Sequence, residues 1–126
     1  MFNQRVDFQI FPFFDSVNHP VSEAGQSESF KNNGYGSMRF EIAGDVSGVS
    51  LQMEGCVNIL SEDGHVLPDS DVLWTPLILT NTATGAMEPS ASAKGSYNCD
   101  VSGLARVRCN IASISGEATI VGIITR

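Results

Sequence analysis

The run Val49-Ser50-Leu51-Gln52-Met53-Glu54 alternates apolar and polar residues one by one, and Gly55, Val57 and Ile59 continue the same phase. A repeat of two residues belongs to a strand, because successive side chains leave its backbone on opposite faces; a helix would repeat every 3.6 residues. The same alternation returns along most of the chain. Met38-Arg39-Phe40-Glu41-Ile42 shows it, Tyr97, Cys99 and Val101 oppose Ser96, Asn98 and Asp100, and Val107, Cys109 and Ile111 oppose Arg106, Arg108 and Asn110. No window carries a convincing helical period beyond a weak turn over Val21 to Ser27. Turn chemistry separates the strands at Ala43-Gly44-Asp45, at Asn81-Thr82-Ala83-Thr84-Gly85, at Ser102-Gly103 and at Ser115-Gly116, the last read as a plain hairpin. Trp74 to Leu79 reads as a strand in which Pro76 marks an edge or a bulge, with Trp74 expected inward. Ala118 to Ile124, rich in β-branched residues, predicts a strand buried on both sides or covered by a neighbouring subunit. Strands about 8–12 residues apart with turns between them imply an antiparallel sandwich or barrel. The expected fold is all-β, an antiparallel β-sandwich of jelly-roll or immunoglobulin-like type, with an N-terminal extended arm.

A chain of 126 residues suits a single core and needs neither disulfide nor metal to fold. Within it, residues 1–37 differ from residues 38–126. Five of the seven phenylalanines, Phe2, Phe8, Phe11, Phe13 and Phe14, fall in the first fourteen positions, followed by a polar stretch rich in Asn, Ser and Gly. The reading is an aromatic arm with a first strand over 1–37 and a sandwich core over 38–126. Aromatic residues so concentrated either seal one end of the core or dock on a neighbour, since a contiguous apolar patch usually marks an interface. The interface candidates are therefore these five phenylalanines together with Arg106 and Arg108, which share one outward face and suit acidic groups on an adjoining chain or on their own strand partners.

Charge and motif content narrow the chemistry. Fourteen acidic residues against seven Lys and Arg leave a net charge of −7, which disfavours nucleic acid and anionic membrane as partners. No export signal is expected from the polar-interrupted N-terminus, and no apolar stretch reaches membrane-helix length. The odd cysteine count (Cys56, Cys99 and Cys109) implies free thiols of a reducing cytosol. A pairing of Cys99 with Cys109 across a hairpin at Ser102-Gly103 stays open beside two buried thiols. His19 and His65 lie in polar loop contexts with no nucleophile motif nearby, so no enzyme activity and no cofactor are expected. Half of the acidic residues lie between Glu41 and Asp71 without an intervening Lys or Arg. Glu62, Asp63, Asp69 and Asp71 could offer oxygen ligands to calcium, but they lack a regular ligand spacing and read first as a solvated loop. Trp74, Tyr35 and Tyr97 offer a sugar-stacking platform only if exposed; core packing is the plainer reading.

The segments Val49 to Cys56, Asp63-Gly64, Trp74-Thr75-Pro76-Leu77 and Gly95 to Leu104, then Val107-Arg108, Ser115-Gly116 and Ala118 to Val121, resemble small β-sandwich domains of tailed-phage virion proteins. The resemblance spans residues 46–124 and departs between Asp63 and Trp74, where this chain is longer. It implies a non-enzymatic structural protein of the virion, either a head decoration or fibre protein or a tail or baseplate subunit. Such a protein is made in the host cytoplasm and is usually a homo-oligomer. Its partners would be copies of itself and other virion proteins such as the major capsid protein, and the Phe-rich N-terminus would grip the shell or an adjacent subunit.

Overall fold

A computed structural model describes residues 8–14 and 21–125, with only the backbone of Phe8 and Phe11; Phe2 and His19 lie outside the described residues. Eleven strands run in order among the described residues: β1 Phe8–Pro12, β2 Gly25–Gln26, β3 Phe30–Lys31, β4 Ser37–Ala43, β5 Val46–Cys56, β6 Thr75–Pro76, β7 Leu79–Asn81, β8 Met87–Glu88, β9 Gly95–Asp100, β10 Arg106–Gly116 and β11 Thr119–Thr125. They form two antiparallel sheets, one of six strands ordered β1-β11-β4-β9-β7-β8 and one of five in which β2 and β3 both line β10, followed by β5 and β6. The one helical turn among the described residues is a short 3-10 turn at Asp69–Asp71. The all-β antiparallel sandwich expected from the alternation is the fold.

Alternation also selects the buried faces. Met38, Phe40 and Ile42 from β4, Leu51 and Met53 from β5, Val107, Cys109 and Ile111 from β10, and Tyr97, Cys99, Ile120 and Ile124 share one buried core. Phe40 stacks on Tyr97 with ring centroids 5.3 Å apart, and the buried Tyr97 hydroxyl donates to the Ala93 carbonyl at 2.8 Å. Each fully buried side chain of this size stabilises the fold by roughly 1.5–3 kcal/mol. The β5 phase breaks at its end: Val57 is 72% exposed, while Glu54 on the supposedly wet face is buried.

The turns do something the local signals do not reveal. Strands β4 and β5 flank Gly44 yet lie in different sheets, as do β9 and β10 around Ser102-Gly103 and β10 and β11 around Gly116. Each connection is an arch across the sandwich rather than a hairpin. This corrects the hairpin at Ser115-Gly116, and β10 runs on through Ser113 to Gly116 with register shifts against β5. It also corrects the cross-hairpin pairing of Cys99 with Cys109. Cys99 lies opposite Met38 in one sheet and Cys109 opposite Met53 in the other, and all three cysteines are free and buried. The strand expected from Trp74 to Leu79 is likewise split. Thr75–Pro76 edges the smaller sheet, where Pro76 needs no ladder donor, and Leu79–Asn81 belongs to the larger.

Burial holds these thiols unreactive. It pushes the Cys99 thiol up to about 12, raises Cys109 with the nearby Glu54 carboxylate adding to the effect, and raises Cys56. At pH 8 only about one Cys99 in ten thousand is thiolate, the reactive form. An aromatic disulfide reagent should therefore find no fast-reacting thiol in the native protein and three after denaturation. A rapid native reaction of one equivalent would contradict the burial.

Candidate interaction surfaces

The N-terminal segment contributes edge strands to both sheets. β1 pairs with β11 along the edge of the larger sheet, and β2 and β3 pair with β10 on the smaller. A bridge between Val21 and Ala118 lies between these two pairings in sequence. Phe13 is 1% exposed and meets Phe30 edge-on at 5.5 Å, so this ring seals the core, and Phe14 packs against the core from a half-buried position.

Arg106 and Arg108 do share the outward face of β10, but each finds a partner within its own chain. The cross-strand register sets Arg108 opposite Glu54, and its Nε donates to Glu54 Oε1 at 2.8 Å. Arg106 donates to Asp69 Oδ1 at 3.0 Å and to the Leu67 carbonyl at 3.2 Å. Asp69 also accepts from the Ser29 hydroxyl at 2.9 Å, and its carbonyl accepts from Trp74 Nε1 at 2.8 Å. The Arg108 guanidinium lies 4.2 Å from the Trp74 ring centroid. Trp74 is thus half-buried on the outer face of the smaller sheet, not in the core, and the 57–74 loop lies back across that face. This covering accounts for the burial of Glu54.

Neither a continuous alternation nor a turn signal could reveal this network, because its members are joined by the return of a long loop. The cross-strand pairing of Arg108 with Glu54 was the one part within reach of the residues alone. Replacing Arg108 by alanine leaves Glu54 buried without its cation and should cost about 2–4 kcal/mol. Trp74, the only tryptophan, should report the loosened loop by a red-shifted emission. Unchanged emission and an unchanged denaturation midpoint would show that the loop is held by other contacts.

The remaining candidates lie apart. Among the described residues no group of three or more His, Cys, Asp or Glu side chains is placed to hold a metal ion, and Asp69 is committed to Arg106 and Ser29. His65 is exposed in the turn that Ser61 closes. Tyr97 is a core residue, and one face of Trp74 is taken by Arg108, so the three aromatic residues form no common platform.

The larger sheet presents the opposite situation. Its outer face carries no covering loop among the described residues. Strand β11 is dry on one side only: Ile120 and Ile124 point inward, whereas Val121 is 36% exposed and Ile10 on β1 is 62% exposed. With Arg39, Glu41 and Ile123 these residues line a shallow groove of about 390 Å³. A second concavity of about 450 Å³ lies beside Ile78, Thr80 and Met87 toward the far edge, where Ile78 and Met87 are exposed. Sequence reasoning missed Ile10, Ile78 and Met87. The β-branched run at 118–124 was the signal for the remainder.

No protein-family model and no curated protein matches this chain. Two solved structures do. The SPBc2 prophage-derived protein YomS superimposes with a TM-score of 0.74 at 19% identity, covering 100% of this chain and 99% of its own. The PBSX exported protein XepA superimposes with a TM-score of 0.71 at 17% identity, covering 94% of this chain, which spans only 38% of that protein. At such identities the likeness is one of fold: this sandwich is the fold of YomS along its whole length and of part of XepA.

Proposed function

We propose that this chain is a non-enzymatic structural protein of a phage particle that acts through protein–protein contacts. Its role is that of a capsid decoration subunit, working as a homo-oligomer on the major capsid protein. The observation that carries the reading is end-to-end agreement of the fold with a prophage-derived protein of nearly equal length. The uncovered, partly apolar face of the larger sheet supports it, because exposed contiguous apolar surface is characteristic of interfaces. Location in the virion follows from the same reading.

The test is to purify particles on a density gradient and to label them with antibody against the chain for electron microscopy. Label over the heads, with the chain co-sedimenting in many copies, is the expected result. Label over the tail would move the subunit to the tail or baseplate. A chain found wholly in the soluble fraction would overturn the structural role.

A further inference from the structure

We propose that the outer face of the six-stranded sheet is the seat of a second copy of this chain, packed face to face about a two-fold axis that crosses the strands at the level of Phe40 and Gly122. The inference rests on the homo-oligomer of the proposed function and specifies its contact.

The strand registers place two rows of outward side chains across this face. One row runs Ile10, Ile123, Arg39, Asn98, and the next, two residues along each strand, runs Pro12, Val121, Glu41, Ser96. Between the rows lie inward-pointing residues, Phe40 and Gly122 among them. A two-fold axis along this intermediate line lays each strand antiparallel over its own copy and sets one row over the other. Ile123 then faces Val121 of the second copy, Arg39 faces Glu41, Asn98 faces Ser96, and Ile10 faces Pro12. Apolar meets apolar, cation meets anion, amide meets hydroxyl, and every pairing occurs twice.

The charges suit this partner. Among the described residues the ion pairs are Arg106–Asp69 and Arg108–Glu54, and neither Arg39 nor Glu41 is bridged to an opposite charge there. Arg39 Nε donates to Asn98 Oδ1 at 2.8 Å, which holds the side chain flat on the sheet with the terminal guanidinium nitrogens still available. Both residues sit one position from the axis, so the angle of about 30° between aligned packed sheets hardly displaces them from each other. The smaller sheet has its outer face covered by the chain's own loop; among the described residues nothing covers the same kind of face on the larger sheet.

Sedimentation of the purified full chain across a concentration series, with circular dichroism to verify folding, tests the arrangement. The wild type should dimerise. Ile123→Asp should dissociate the dimer, and Arg39→Glu and Glu41→Arg should each raise its dissociation constant by roughly tenfold or more, since each substitution breaks two equivalent contacts. The double variant carrying both charge reversals should recover most of the lost affinity, because a two-fold contact regenerates the pairs in opposite sense. A wild type that oligomerises without regard to these substitutions would overturn the face while leaving a homo-oligomer standing. Two damaging single reversals without recovery in the double variant would overturn the two-fold geometry. A strictly monomeric wild type would overturn both the face and the homo-oligomer, whereas the particle-labelling experiment decides the virion role independently.

Discussion

Substituting Gly116 by alanine is expected to destabilise the protein by at least ~3 kcal/mol, among the largest effects of any single methyl group in this fold. Gly116 ends β10 with φ at +95°, in the left-handed region that L side chains rarely adopt, and a Cβ there would overlap the backbone carbonyl of Asp45. The obstacle is rigid. Asp45 belongs to the β4–β5 arch, and its carbonyl accepts from the Glu117 amide at 3.0 Å. The two arches lie against each other, for a Cβ on Gly44, with φ at +105°, would come within 2.9 Å of the Glu117 carbonyl. Relief of one overlap therefore requires movement of the other crossing. Gly44→Ala should be costly for the same reason, and the double variant should cost less than the two singles summed, since the first displacement already opens the space. Urea denaturation followed by circular dichroism measures all three. A loss below about 1 kcal/mol for Gly116→Ala would mean that the arches separate easily and do not lock the sandwich.

The second large effect concerns Asn32, which is 3% exposed. Its Nδ2 donates to the carbonyls of Tyr35 at 3.0 Å, Val101 at 2.6 Å and Leu104 at 3.1 Å. One amide thereby ties the segment entering β4 to the arch between β9 and β10, and its backbone N–H donates to the Ala105 carbonyl at 3.0 Å. Asn32→Asp keeps the shape and reverses the chemistry: a carboxylate would face three carbonyl oxygens with no donor to offer. The expected loss at neutral pH is about 3–5 kcal/mol. Its pH dependence distinguishes charge from shape. The buried carboxyl must titrate above its unfolded value of about 3.9, so the folded state binds the proton more tightly than the unfolded state. The variant is then closest to the wild type below that value and loses ground as pH rises through the folded-state pKa. Denaturation midpoints of variant and wild type, compared from pH 3.5 to 7.5, should diverge with increasing pH. A constant difference would mean that the site has opened to water.

The longer strands and most of their inward faces were legible in the residues because side-chain alternation is local: each Cβ direction follows from its own backbone. Val107, Cys109 and Ile111 point inward as read, and so do Tyr97, Cys99 and Met38. The β-branched run at 118–124 fitted either burial on both sides or cover by a neighbouring subunit; within the chain only one side is buried, and Val121 and Ile123 line a groove on the other.

Other features depended on contacts between distant segments. Ser102-Gly103 and Ser115-Gly116 carry turn chemistry whether the chain reverses within one sheet or crosses to the other. The choice rests on which strands pair, and β11 pairs with β1 and β4 rather than with β10. The placement of Trp74 over Arg108 depended on the return of a loop some twenty residues long, whose path no alternation encodes. The sequence by itself determined that this protein is built from strands, and which side of β4, β9 and the first half of β10 is dry. Only the tertiary structure decided that those strands close as arches between two sheets, that Arg106 and Arg108 are satisfied within the chain, and that among the described residues a loop covers the outer face of the smaller sheet and none that of the larger. The reason is physical: alternation is written in each residue's own backbone, whereas pairing is decided by the free energy of bringing remote strands together.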